Sequence, residues 1–193
     1  MAAADSAPIL TIRSRADLRD WLAADHASAP TVWLASYKRA HPDYVAYEAI
    51  VEELLCWGWI DSVSRALDGD RSMILIAPRN PKSAWSAINK AHVTRARASG
   101  AMTPAGEAKI AIAQANGQWD FLNDVDALIA PDDLLAALDA ADQRGFWDAI
   151  PRSLRRGTLE WVKTAKTPET RAKRIADVVI SAREGLRPSP FRR

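Results

Sequence analysis

Two short segments hold the residues whose types and spacing could do chemistry. In the first, Cys56-Trp57-Gly58-Trp59-Ile60-Asp61, an acid follows a Gly-Trp corner. In an extended strand Trp59 and Asp61 project to one face. A carboxylate would then stand beside an indole, able to accept a hydrogen bond from a ligand or a proton from a substrate. The structural alternative is that Asp61 satisfies backbone N–H groups or a neighbouring arginine and only holds the helix-to-strand corner. In the second segment, Arg79-Asn80-Pro81-Lys82-Ser83-Ala84-Trp85-Ser86-Ala87-Ile88-Asn89, two cations precede a helix expected from about residue 84 with Ser83 as its cap. Free N–H groups, the helix dipole, Arg79 and Lys82 would make an anion contact for a carboxylate or phosphate. Trp85 and Asn89 lie four apart and would share a helix face. Asn89 beside an indole needs a polar partner, for which Asp61 is the candidate. The alternative is a capped helix with solvated basic residues.

The expected ligand-binding set is therefore Trp57, Trp59, Asp61, Arg79, Lys82, Ser83, Trp85 and Asn89. Trp59 and Trp85 would be stacking walls of a cleft, Asp61 and Asn89 its directional polar contacts. Trp57, like Trp33 and Trp119, either reaches that cleft or fills the core, the ordinary place for a large aromatic.

Other chemistries lack their residues. His26, His41 and His92 are far apart, and no His-x-x-x-His or paired-cysteine spacing occurs, so no metal is expected. There is no Gly-x-Gly-x-x-Gly, no phosphate-binding P-loop and no Gly-x-Ser-x-Gly elbow, and no cofactor is expected. Cys56 falls near the C-terminal end of a helix, where the dipole opposes a thiolate, and is expected to be a buried structural thiol. One cysteine cannot form an internal disulfide, which points to a reducing compartment.

The elements that must carry these residues follow from composition and pattern. With 193 residues, 48% apolar and 26% charged, the chain has material for a packed core and is not disordered. Residues 1–15 lack an export-signal core and the apolar runs are too short for a membrane helix, so a cytoplasmic protein without membrane insertion is expected. Ser14 with Asp17 caps a first helix, carrying Leu18, Trp21 and Leu22. Residues 31–37 form a strand apolar on both faces, hence central. A helix ending near Trp57 buries Tyr47, Ile50, Val51, Leu54 and Leu55, and points Glu48, Glu52 and Glu53 to water; Gly58 is its left-handed cap. Asp68-Gly69 is the preferred pair of a two-residue hairpin turn, which would set Asp61 opposite Ile76 and Val63 opposite Ile74. Helices follow, opened by Thr103-Pro104, Pro131 and Thr167-Pro168. The expected class is α+β: a small antiparallel or mixed sheet with a tight hairpin packed by helices over 1–100, an all-helical part over 101–185, and a frayed basic tail over 186–193.

Charge is segregated. Residues 152–193 hold twelve basic and four acidic side chains, the remainder fourteen and twenty. Arg155, Arg156, Lys163, Lys166, Arg171, Lys173 and Arg174 could meet an acidic partner or nucleic acid, but Glu160 and Glu169 interrupt them and no nucleic-acid motif appears. The expectation is a face that is solvated or paired within the chain.

Residues 47–62, with their Cys56-Trp57-Gly58-Trp59-Ile60-Asp61 core, are similar to a signature of YdeI/OmpD-associated proteins, also called bacteriocin-protection proteins. So are Leu67-Asp68-Gly69-Asp70, residues 78–89, and Met102-Thr103-Pro104-Ala105-Gly106. The stretch from Trp161 to Ile175 resembles the domain that names the family. The resemblance implies a protective role against bacteriocins or cationic peptides and association with a porin, but brings no catalytic set. A protective or binding role is carried over, with a small molecule or peptide as ligand. Beside it stand an enzyme using Asp61 as general acid or base on an anionic substrate, and an interaction protein using its basic helices. Oligomeric state is left open.

Overall fold

The computed structural model describes residues 6–192; Met1–Asp5 and Arg193, the extremes of the expected N-terminal part and basic tail, lie outside the described residues. The chain forms two compact units meeting at Phe121/Leu122. The first is β1 (Ile9–Thr11), α1 (Arg15–Asp25), β2 (Val32–Tyr37), α2 (Tyr47–Cys56), β3 (Trp59–Ala66), β4 (Arg71–Pro78), α3 (Ala87–Ala98) and α4 (Pro104–Ala115). Its sheet runs β1-β2-β4-β3, with β1 parallel to β2 and the other pairs antiparallel. Mixed sheet and segregated helices make the protein α+β.

Local chemistry explains these elements. Ser14 Oγ accepts from the Asp17 N–H at 3.1 Å, and the Asp17 carboxylate accepts from the Arg13 N–H at 2.8 Å. This reciprocal cap starts α1, whose Leu18 and Leu22 are buried. β2 lies between β1 and β4, and Val32, Trp33, Leu34 and Ala35 are all buried. α2 serves two cores. Ile50 and Leu54 face a cluster with Leu18, Leu34, Trp59 and Ile76, whereas Val51 and Leu55 face another with Trp85, Val93 and Ile110.

The end of α2 is locked by α4. Gly58 has φ +72°, and the Thr103 hydroxyl donates to the Cys56 carbonyl at 2.6 Å. The backbones approach so closely that a Cβ at Gly106 would lie 2.4 Å from that same oxygen. The Cys-Trp-Gly and Thr-Pro-Ala-Gly motifs are thus two sides of one contact. It also draws α4 into the first unit, past the boundary expected near Gly100.

The hairpin departs from expectation in two ways. Asp61 is opposite Ile76, but a bulge puts Ser64, not Val63, opposite Ile74. The extra residue leaves Val63 exposed on this edge strand and turns it away from the sheet face. The connection is also longer than two residues. Leu67 to Asp70 form the loop, with the Asp68 carboxylate accepting from the N–H groups of Asp70 (3.0 Å) and Arg71 (2.8 Å). That side-chain turn replaces the two-residue one.

The second unit comprises α5 (Asn123–Asp126), α6 (Asp132–Ala140), α7 (Arg144–Ala149), α8 (Arg152–Lys163), α9 (Pro168–Arg183) and a 3-10 turn, Ser189–Phe191. Leu134, Leu138, Trp147, Leu159, Val162 and Val178 are buried. The charge asymmetry is largely resolved inside this unit. Arg156 pairs with Asp126 at 2.7 Å, Lys163 with Asp124 at 2.6 Å and Arg171 with Asp133 at 2.7 Å. The tail is not frayed over its described part. The Ser189 N–H donates to Asp177 at 2.8 Å, and the Arg192 guanidinium donates to Ser181 Oγ at 2.9 Å. The Phe191 ring fits where Gly157 has no side chain. No helix of the described residues is long and apolar enough to cross a membrane.

Candidate functional site

Of the eight expected residues, Asp61 lines an open hollow. Asp61 stands on β3 beside a cavity of about 510 Å³, lined also by Tyr47, Ser62, Ser64, Ser72 and Lys38. The Tyr47 phenol, at the first residue of α2, donates to Asp61 Oδ2 at 2.6 Å. Burial first, and then Asp61, push the Tyr47 hydroxyl up to about 12. A phenol held neutral next to a carboxylate is a donor already spent, and Asp61 keeps acceptor capacity beyond that one bond. Lys38 Nζ donates to the carbonyls of Asp68 (3.0 Å) and Gly69 (2.6 Å), and so staples the hairpin loop at the rim.

The partner expected for Asp61 is corrected: its recorded hydrogen bond is to Tyr47, not to Asn89. The tryptophans are corrected as well. Trp59 and Trp85 are each 1% exposed and belong to different core clusters, so neither is a wall of an open cleft. Trp59 meets Trp21 edge-on at 5.5 Å and donates its indole N–H to the His26 carbonyl at 3.1 Å. Trp85 packs against Trp119 at 5.1 Å. Trp57 is half-buried, and its N–H donates to Glu53 at 3.1 Å.

The segment before α3 is arranged differently from the expectation. Ser86 is the cap, accepting from the Asn89 N–H at 3.3 Å, and the helix begins three residues late. Ser83 instead ends a small turn, its N–H donating to the Asn80 carbonyl at 3.0 Å. The delay has a cause: the buried indole of Trp85 pins an extended stretch whose backbone N–H donates to Gln118. Trp85 and Asn89 therefore do not share a helix face, although Asn89 remains half-buried.

Arg79 and Lys82 do not form one anion contact, because they part company. Lys82 is exposed, whereas Arg79 is only 4% exposed, its guanidinium 3.9 Å from the Trp85 ring. Arg79 Nη2 donates to the Ala84 carbonyl at 2.6 Å, and its buried Nε has no partner among the described residues. Burial pulls this guanidinium down to about 10, with the charge of Asp61 opposing. At neutral pH Arg79 is a buried cation supported by an indole and by Asp61's field. It is not among the residues lining the hollow.

Sequence reasoning missed a second polar feature. Glu53, expected to point to water, is 1% exposed and accepts from Arg15 (2.8 Å), Arg19 (2.8 Å) and Trp57. Glu52 beside it accepts from Arg15 (3.1 Å) and Arg95 (3.0 Å). These two carboxylates tie α1 and α3 to α2. Burial would raise Glu52, but the two arginines outweigh it and hold it below its usual 4.5. Cys56 is fully buried; burial, then Glu53, push its thiol up to about 11, as a structural cysteine requires.

Fold and site together define a two-unit α+β protein whose first unit carries a carboxylate-and-hydroxyl hollow on a sheet face. Residues 10–109, just over half of the chain, match the model of a domain of unknown function (DUF8412), and residues 127–185 match the family described as Bacteriocin-protection, YdeI or OmpD-Associated. The chain belongs to the DUF8412 family, and over residues 127–185 its second unit is similar to the YdeI/OmpD-associated family. The Gly-Trp corner, the hairpin and the Thr-Pro-Ala-Gly motif fall in the first match, and the stretch from Trp161 to Ile175 falls in the second. No curated protein and no solved structure matches the chain.

Proposed function

We propose that this is a cytoplasmic protection-type protein that acts by binding a small molecule or peptide in the hollow around Asp61. The similarity of residues 127–185 to a bacteriocin-protection family supports the protective role. The observation that carries the binding reading is the Tyr47–Asp61 pair at 2.6 Å beside a 510 Å³ cavity with three serines on its walls. Such a surface offers directional acceptors at fixed positions, which is what orients a ligand. The cytoplasmic assignment rests on the single cysteine, Cys56. Isothermal titration of the full chain against a panel of antimicrobial peptides and small metabolites tests the reading. A ligand whose affinity drops sharply in Asp61→Asn, with the melting curve unchanged, supports it; ligands bound equally well by Asp61→Asn refute it.

A second reading, an enzyme in which Asp61 exchanges a proton with substrate, draws on the same hydrogen bond, since Tyr47 would steady the carboxylate in one rotamer. It requires turnover that Asp61→Asn abolishes. The third reading, a basic helical face for an acidic partner, loses Arg156, Lys163 and Arg171 to carboxylates of their own unit.

A further inference from the structure

The second unit carries an apolar concavity of its own. A groove of about 560 Å³ runs between α6 and α9, walled by Ala137, Ala140, Ala172, Ala176 and Ile180. On α9 the residues Pro168, Ala172, Ala176 and Ile180 fall four apart and all are exposed, Ile180 by 52%. They form one i+4 ridge about 18 Å long, on a helix whose other face already buries Ile175, Val178 and Ala182. The ends of the groove differ in charge. Asp133, bonded to Arg171 at 2.7 and 2.8 Å, marks one end, and Arg183, with no ion-pair partner among the described residues, marks the other.

We infer that this groove docks a second copy of the chain, with the two α9 helices antiparallel about a two-fold axis passing close to Ala176. A large exposed knob, Ile180, lies next to a hole lined by alanines, and knob beside hole on one patch is what an isologous interface needs. Antiparallel packing carries Arg183 of each copy to Asp133 of the other, whose Oδ2 keeps a free lone pair after bonding Arg171, while Oδ1 is taken up by Arg171 and the Leu134 N–H. Parallel packing would set Arg183 on Arg183. The alanines at the crossing let the helix backbones approach closely.

Sedimentation velocity and light scattering of the full chain over a range of concentrations test this. The wild type is a reversible dimer, and Ile180→Asp, at an exposed position, weakens it about tenfold or more. Ala176→Cys, next to the axis, forms a disulfide-linked dimer on mild oxidation, while buried Cys56 stays out of the reaction. If Ile180→Asp fails to fold by circular dichroism, Arg183→Glu, on an exposed side chain, must weaken the dimer instead. A chain that stays monomeric at every concentration overturns the inference. So does a dimer indifferent to these changes, an Ala176→Cys variant that does not cross-link, or a foreign helix found in the groove of a monomer.

Discussion

The phenol of Tyr47 and the carboxylate of Asp61 meet at 2.6 Å, joining the first turn of α2 to the edge strand β3 fourteen residues later. The pair makes Asp61 a fixed acceptor and gives Tyr47 a titration of its own. In a spectrophotometric titration one of the three tyrosines should ionise near pH 12. A tyrosine raised above its usual 10 stabilises the fold fully below pH 10 and loses that contribution as pH climbs towards 12. Asp61→Asn should lower this step. Tyr47→Phe should cost about 1 kcal/mol, since the ring is half-exposed and only one hydrogen bond is lost.

Glu53 anchors two arginines from inside the fold. Glu53→Ala leaves Arg15 and Arg19 without their buried partner and should destabilise by roughly 3 kcal/mol, the lower end for a broken buried pair because both arginines are over a third exposed. Glu53→Gln, which keeps an acceptor for Trp57, should cost less. Urea denaturation ranks the two.

Acid should find Glu52. Its folded carboxyl lies below the usual 4.5, so the stability it supplies is complete above pH 4.5 and is lost as pH falls below that value. Denaturation midpoints measured from pH 6 down to 3 should therefore decline less steeply in Glu52→Gln than in the wild type.

Gly106→Ala tests the close approach of α4 to the end of α2. The methyl would meet the Cys56 carbonyl oxygen at 2.4 Å and its carbon at 2.8 Å, and backbone cannot swing aside as a side chain can. Destabilisation of roughly 1–3 kcal/mol is expected by urea denaturation, with the Cys56 thiol becoming reactive to alkylating reagents sooner than in the wild type.

Local signals were legible where the chain's nearest neighbours decide the outcome. Ser14 with Asp17, Thr103 with Pro104, and the left-handed Gly58 all stand where their types require. Asp61 was singled out for the same reason: an acid next to a Gly-Trp corner is unusual on its own strand. Tyr47 was not, because its amphipathic position on α2 already explained it as core, and only the folding of α2 over the sheet brings its hydroxyl to β3. Glu53 sits on the helix face that looks polar by spacing, and its burial depends on Arg15 and Arg19 arriving from α1. Ser83 and Ser86 are equally good caps by type. The choice between them was made by the tertiary burial of Trp85, which no local pattern records. The tryptophans misled for a related reason: an indole beside polar residues in sequence turned inward, away from them, once the two cores formed.

The account turns on whether the hollow beside Asp61 receives a ligand. Backbone amide shifts of the isotope-labelled full chain, followed during titration with a ligand found by calorimetry, answer that most directly. Changes should gather at Tyr47, Asp61, Ser62, Ser64 and Ser72, and vanish in Asp61→Asn. Changes confined to other residues, or the same changes in the variant, would contradict the account.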